Sequence, residues 1–335
     1  MEKMIVKEAY SRQQKEIIEK LSNIIDQGIK QCRNSEAFKE YLKMQSKMPN
    51  YSVNNTLLIL SQTKGQATNC ASYTVWRSLG RQVNKGEKGI QVICPSPYKK
   101  EIQVERKDSQ GQTVYGKDGK PIMETAEVKR MAFKPGYVFD ISQTTGAELP
   151  SPVKLLSGEV QGYEDVLAAI RMSSPVPIVF ESLHGTANGY YSSTDERIVI
   201  SDNLEPLHAI KTCLHELAHA YLDTIGQDKE RSREERETEA EAIAFILTNR
   251  LLGDQVTPEE IGQYSFGYLA SWGDENLSEF KECLSTIQQS SSFLIYKIEA
   301  SLNRILSDKE TVSEPQHIQT SAQVNEVLNS QHLHL

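Results

Sequence analysis

Apolar residues recur at helical spacing through the first part of the chain. Ile17, Ile18, Leu21, Ile24, Ile25 and Ile29 share one side of a helix expected over residues 8–30. Ser35 is the expected cap of a second helix reaching Met48, and Pro49-Asn50 breaks it. Residues 54–62 read as a short apolar helix. Residues 73–95 read as a helical turn, a loop rich in glycine and lysine, and a strand. Over 101–130 polar and β-branched positions alternate around Gly116-Lys-Asp-Gly119, which predicts a hairpin, and 131–142 predict one more strand. Proline and glycine then mark a linker between Thr144 and Gly158.

The second half changes character. A helix is expected over 161–172, then strands at 178–180, 189–191 and 198–200. Two helices follow, over about 205–223 and 233–252, with Ser201-Asp202-Asn203 supplying the turn and cap of the first. Further helices are expected over 257–270 and 276–305. The pattern predicts an α+β fold of two domains. A mixed α/β domain covers 1–145, a linker 146–158, a second domain 159–305, and 306–335 form a polar, disordered tail.

The helix over 205–223 contains His215-Glu-Leu-Ala-His219. Histidines four apart lie one above the other on a helix, so both imidazoles can reach one metal ion. Glu216 points to the side where a water activated by that metal would sit. This is the ligand pair and general base of a zinc peptidase. A third ligand must come from another element. The next helix offers Glu237 as ligand and Glu241 as a carboxylate behind a ligand histidine, with Glu235 and Glu239 as competitors. Its Ala240, Ala242 and Ala244 allow two helices to approach closely.

Composition narrows the rest. The five cysteines are scattered without CxxC spacing, which points to reduced thiols and away from a structural metal cluster. No apolar run is long enough for a membrane span and the first residues lack a signal core, so a cytoplasmic protein with no membrane partner is expected. The net charge of −8 conceals an asymmetry: residues 1–130 hold 23 Lys+Arg against 14 Asp+Glu. A basic half joined to an acidic half suggests that the basic half meets a polyanion.

The densest basic stretch is the glycine-punctuated one. Trp76, Arg77, Arg81, Lys85 and Lys88 are interleaved with Gly80, Gly86 and Gly89. Lysine and arginine neutralise phosphates, and aromatic faces stack on unpaired bases, which favours single-stranded over duplex DNA. Tyr51, Tyr73 and Tyr98 are further candidates for stacking. Core packing of Trp76 and ordinary turn chemistry in the loop are the competing readings.

Two blocks carry a family resemblance. Residues 54–95, with Tyr73-Thr-Val-Trp-Arg-Ser-Leu-Gly-Arg, and Phe133-Lys-Pro-Gly-Tyr-Val-Phe-Asp resemble the N-terminal single-stranded-DNA-binding domain of ArdC-type antirestriction proteins. Gly189-Tyr-Tyr, the HELAH pentapeptide, the glutamate-rich helix and Tyr264-Ser-Phe-Gly-Tyr-Leu-Ala-Ser-Trp272 are similar to the family's zincin-like domain, related to ImmA/IrrE peptidases. The resemblance spans about residues 10–300. It implies a gluzincin metallopeptidase domain and a protein of plasmids or conjugative elements that handles DNA entering a new host. It also implies Zn²⁺ on His215, His219 and Glu237, with Glu241 standing where the family more often has Asp or Asn.

The expected function is therefore an antirestriction-type protein that binds single-stranded DNA, carries a zinc peptidase-like site and acts on a protein substrate. Tyr264 or Tyr268 would face the developing oxyanion. The rival readings are a non-catalytic DNA-binding protein with structural zinc and a peptidase that cleaves a regulator.

Overall fold

The computed structural model describes residues 2–149, 160–226, 231–253 and 276–313, together with Phe266 and Leu269. The first half opens with three helices, α1 (Glu2–Gln31), α2 (Ser35–Lys47) and α3 (Val53–Thr63). The cap of α2 is Asn34 rather than Ser35. Its side chain accepts from the backbone N–H of Glu36 and Ala37, which leaves Ser35 as the first helical residue.

A short strand β1 (Cys70–Ala71), helix α4 (Tyr73–Ser78) and strand β2 (Arg81–Val83) lead to two long strands. β3 (Ile90–Glu105) and β4 (Met123–Asp140) pair antiparallel along their whole length, and β1 adds to the free edge of β4. The separate hairpin and closing strand expected from sequence are thus one ribbon, because the alternation never breaks at Met131. Residues 106–122 cross between the two strands through isolated bridges at Lys107–Thr113 and Tyr115–Pro121. β5 (Thr144–Gly146) returns to pair with β2.

The second half begins with α5 (Val160–Ser173) and a three-stranded sheet ordered β6-β8-β7. β6 (Ile178–Glu181) runs parallel to β8 (Arg197–Ser201), while β7 (Gly189–Ser192) is antiparallel to it and forms an edge. Then come α6 (Pro206–Thr224), α7 (Arg233–Leu252) and α8 (Leu277–Ser313). α6 starts at Pro206, whose missing N–H costs nothing in a first turn, and Glu205 makes no side-chain cap bond there. α8 continues past residue 305 because Ile305 and Leu306 still pack on the core and Lys309 pairs with Asp165 at 2.5 Å. The expected helix at 257–270 lies outside the described residues, apart from buried Phe266 and Leu269. Residues 314–335 of the expected tail also lie outside them.

The main hydrophobic core draws on both halves. Leu21, Phe38, Tyr41 and Leu58 from the first three helices pack in one cluster with Leu217, Ala244, Phe245, Phe280 and Leu294. The Phe38 ring meets Phe266 edge-on at 5.0 Å between centroids. A second cluster sits beneath the base of the ribbon around Met44, Tyr51, Ile59 and Val138. A third closes around Trp76. All five cysteines are free thiols, and no described helix is long and apolar enough to cross a membrane.

Candidate metal centre and basic loop

α6 presents its buried stripe of Ala209, Ile210, Cys213, Leu214, Leu217 and Ala218 to the core. That leaves His215, Glu216 and His219 half-exposed on the opposite side. α7 packs against it, and the fully buried Ala240 and Ala244 share the side of α7 that carries Glu237. That packing brings Glu237 within reach of both histidines. The Nε2 atoms of His215 and His219 are 3.2 Å apart. Glu237 Oε2 lies 3.6 Å from the first and 3.5 Å from the second. Four ligands held about 2.1 Å from a tetrahedral ion stand about 3.4 Å from one another. The three measured separations bracket that spacing, so these donors fit a single divalent ion. Among the described residues no other trio of His, Cys, Asp or Glu meets such a spacing.

Four of the five glutamates of α7, Glu235, Glu237, Glu239 and Glu241, are sorted by helix geometry. Glu235 accepts the Ser232 N–H at 2.7 Å in a capping box, and its own N–H bonds the Ser232 hydroxyl. Glu239 is completely buried, 3.5 Å from Arg231 and on the side away from the histidines. Glu241 Oε2 stands 3.9 Å from Nδ1 of His215. That is a charge contact behind the imidazole rather than a direct hydrogen bond.

These neighbours shape the titrations. Burial pulls His215 down. The hydrogen bond with Glu237 and the charges of Glu216, Glu241 and Glu237 outweigh it, so its pKa rises above the ordinary histidine value. Hydrogen bonds from His215 and His219 hold the Glu237 carboxyl well below the usual range. Burial lifts Glu216 above the ordinary carboxylate value, against the pull of both histidines and of the Tyr191 N–H. A carboxylate that holds a proton more readily than usual, beside a trio of donors that fits a metal ion, is suited to proton transfer.

The site opens into a cleft of about 700 Å³ walled by Gly189, Tyr190 and Tyr191 of β7 on one side and by Arg233 and Arg236 of α7 on another. What the sequence did not show is the contact of Tyr191 with Glu216 and Asp223. The Tyr191 backbone N–H bonds Glu216, and its hydroxyl donates to Asp223 at 2.6 Å. The Gly189-Tyr-Tyr block signalled the strand, but nothing in its composition said which edge would face α6. Tyr264 and Tyr268 lie outside the described residues.

The basic stretch divides on structure. Trp76 is not a stacking surface: it is fully buried, and its Nε1 donates to the carbonyl of Phe139 at 2.8 Å. Tyr51 is buried as well, its hydroxyl donating to the carbonyl of Cys70 at 3.0 Å. The Arg81 guanidinium is engaged with Thr144 and the Ala147 carbonyl, locking β2 to β5. Arg77, Lys85 and Lys88 are exposed, as are Tyr73 and Tyr98. Gly86, with φ of +91°, supplies the left-handed turn of the loop.

Comparison with known proteins follows the same division. Residues 7–139 match the N-terminal domain of the anti-restriction factor ArdC, and residues 171–256 match the IrrE N-terminal-like domain. An uncharacterised protein of Bacillus anthracis, pXO2-81, is 25% identical over 331 residues, covering 91% of this chain. The chain spans 54% of that relative's length. The crystal structure of antirestriction protein ArdC from plasmid R388 is similar in its metal-free form at 21% identity. That match covers 74% of this chain and 84% of the other, with a TM-score of 0.39. The Mn(II)-bound form is 18% identical, covers 83% and 97%, and gives a TM-score of 0.42.

Proposed function

Since the chain belongs to the ArdC-type antirestriction family, we propose that it binds single-stranded DNA through its first half and cleaves a protein substrate with a zinc peptidase site in its second. The observation that carries the peptidase reading is the trio of donor atoms at tetrahedral spacing beside the half-buried Glu216. His215, His219 and Glu237 would hold zinc, which would supply Lewis-acid chemistry for a peptide carbonyl and a water. Glu216 takes the proton from the attacking water and passes it to the leaving amine. Glu241 orients the His215 ring from behind.

Substrate binding follows from the sheet. The Ser201 N–H bonds the Asn188 carbonyl, so by alternation Tyr190 and Ser192 face β8 while the backbones of Gly189 and Tyr191 face the cleft. An extended peptide adds to that edge as a further antiparallel strand at Gly189 and the Tyr191 carbonyl, the Tyr191 N–H being held by Glu216. In the cell the protein would act in the cytoplasm on behalf of a mobile element, where incoming DNA is single-stranded.

The deciding experiment compares the wild type with Glu216→Gln for metal content, single-strand binding and antirestriction. Peptidase action predicts a variant that keeps metal and DNA but loses protection. A fully protective Glu216→Gln chain would leave only the DNA-binding role, with the metal serving stability.

A further inference from the structure

We infer that the outer face of the β3–β4 ribbon is the platform on which unpaired bases stack, with Lys85 and Lys88 gripping the phosphates at its foot. This rests on the single-strand DNA reading and gives it an address. In the antiparallel register Pro97 stands opposite Met131, Pro95 opposite Phe133, and Gln91 opposite Tyr137, so these six side chains share one face. On that face Phe133 is 60% exposed, Met131 57% and Tyr137 51%. The opposite face at the ribbon base, with Ile90, Val92 and Val138, is buried. A column of aromatic and thioether side chains is therefore left on the open side, although folding has an apolar core to offer it.

Three observations point to a nucleic acid. The foot of the column joins the basic loop directly: a Cβ on Gly89 would come within 3.0 Å of the Tyr137 ring and 3.2 Å of Phe139. Glycine at 89 lets the loop carrying Lys85 and Lys88 lie this close to the column without displacing the Tyr137 ring. Next, the strand segments 90–100 and 128–139 hold not one Asp or Glu, with Lys99 and Lys129 on this face and Lys100, Arg130 and Lys134 on the other. Finally, at the far end of the same face Lys99 stands directly opposite Lys129. Like charges opposed across a ladder destabilise it, and a polyanion laid between them relieves that cost. Glu127 offsets Lys99 alone, at 2.6 Å. A second copy of the chain on this face would instead bring these cations together.

From Tyr137 to Lys129 the column runs about 26 Å at strand rise. That suits a short single-stranded site, toward the lower end of the roughly 4–16 nucleotides known for stacking platforms. Duplex DNA hides its base faces and gains nothing from the column.

The test uses the full chain and fluorescein-labelled oligo-dT, with anisotropy read across a salt series. Phe133→Ala/Tyr137→Ala should weaken binding about tenfold or more with the salt slope unchanged, because stacking releases no counterions. Lys85→Gln/Lys88→Gln should reduce the slope by about 0.7 per lysine. Bromodeoxyuridine oligomers should photocrosslink to the peptide carrying Phe133 and Tyr137. A wild-type chain that binds while the aromatic double variant binds within twofold of it, with crosslinks elsewhere, overturns this inference and leaves the face to a protein partner. A wild-type chain that fails to bind at low salt overturns the DNA reading itself.

Discussion

The Asp140 carboxylate accepts hydrogen bonds from the backbone N–H groups of Thr68, Asn69 and Ser142 and from the Ser142 hydroxyl, at 2.7–3.0 Å. Burial works against its charge, but these donors outweigh it and its pKa falls below the ordinary value. A carboxyl depressed in the fold contributes stability that is present above its unfolded pKa of about 3.9 and lost as pH falls through the folded value. Asp140→Asn should therefore cost about 1–3 kcal/mol at neutral pH in urea unfolding. The gap between the two proteins should close on acidification below the ordinary aspartate range; a gap independent of pH would refute the assignment. Trp76 makes the complementary case for a residue whose chemistry invites a binding role. Trp76→Ala should cost about 3–5 kcal/mol, so any loss of DNA affinity it causes should track the unfolded fraction.

At the scale of elements, α7 separates one glutamate buried for structure from one that faces the two histidines. Glu239→Ala strands the half of a buried pair that Arg231 supplies, and should cost about 3–5 kcal/mol with metal binding intact in the folded fraction. Glu237→Ala, at an exposed position, should leave the metal-free melting temperature nearly unchanged and abolish the shift that zinc produces. Thermal melts with and without zinc read both. β7 is held against α6 by similarly tight packing. A Cβ on Gly189 would sit 2.8 Å from Thr212 Cγ2 and from the Val199 carbonyl. Gly189→Ala should thus push the edge strand away and cost about 1–3 kcal/mol. Peptidase activity should fall with it while metal content stays constant, since the ligands lie on other elements.

Across the whole molecule, the first three helices and the helices that carry His215, His219 and Glu237 share one core. Lys281 pairs with Asp26, and Gln288 donates to the carbonyl of Pro49, across the same junction. The two halves should unfold together. Zinc at about a hundred times its Kd adds about 2.7 kcal/mol. In a Trp272→Phe background, where Trp76 is the one remaining indole, zinc should raise the transition seen by Trp76 fluorescence as much as that seen by far-UV circular dichroism. An unmoved Trp76 transition would show independent halves. The zinc shift should fade on acidification, starting from a higher pH than a free histidine would set. The raised pKa of His215 makes the proton a stronger competitor for the ligand nitrogen.

The sequence by itself determined what local spacing can determine. The interval from His215 to His219 puts two imidazoles on one turn whatever surrounds them, and the β-branched alternation on either side of Met131 required extended chain. The choice of Glu237 over Glu235 and Glu239 was geometrically favoured but open, because all three are within reach of some neighbour. The Ser232–Glu235 capping box is local and takes one carboxylate for the cap; only the packing of α7 in the fold assigned one of the others to the core and one to the histidines. Trp76 and Phe133 show the same limit from the other side. Both are aromatic residues in basic stretches, yet one is enclosed beneath β4 and the other stands in solvent. Alternation fixes that neighbouring side chains of a strand point to opposite faces, but which face meets a core depends on contacts distant in the chain. The union of the two halves in one core was invisible for that reason: Phe38 and Phe280 are each plainly apolar, and only the tertiary fold decides that they bury one another's surface.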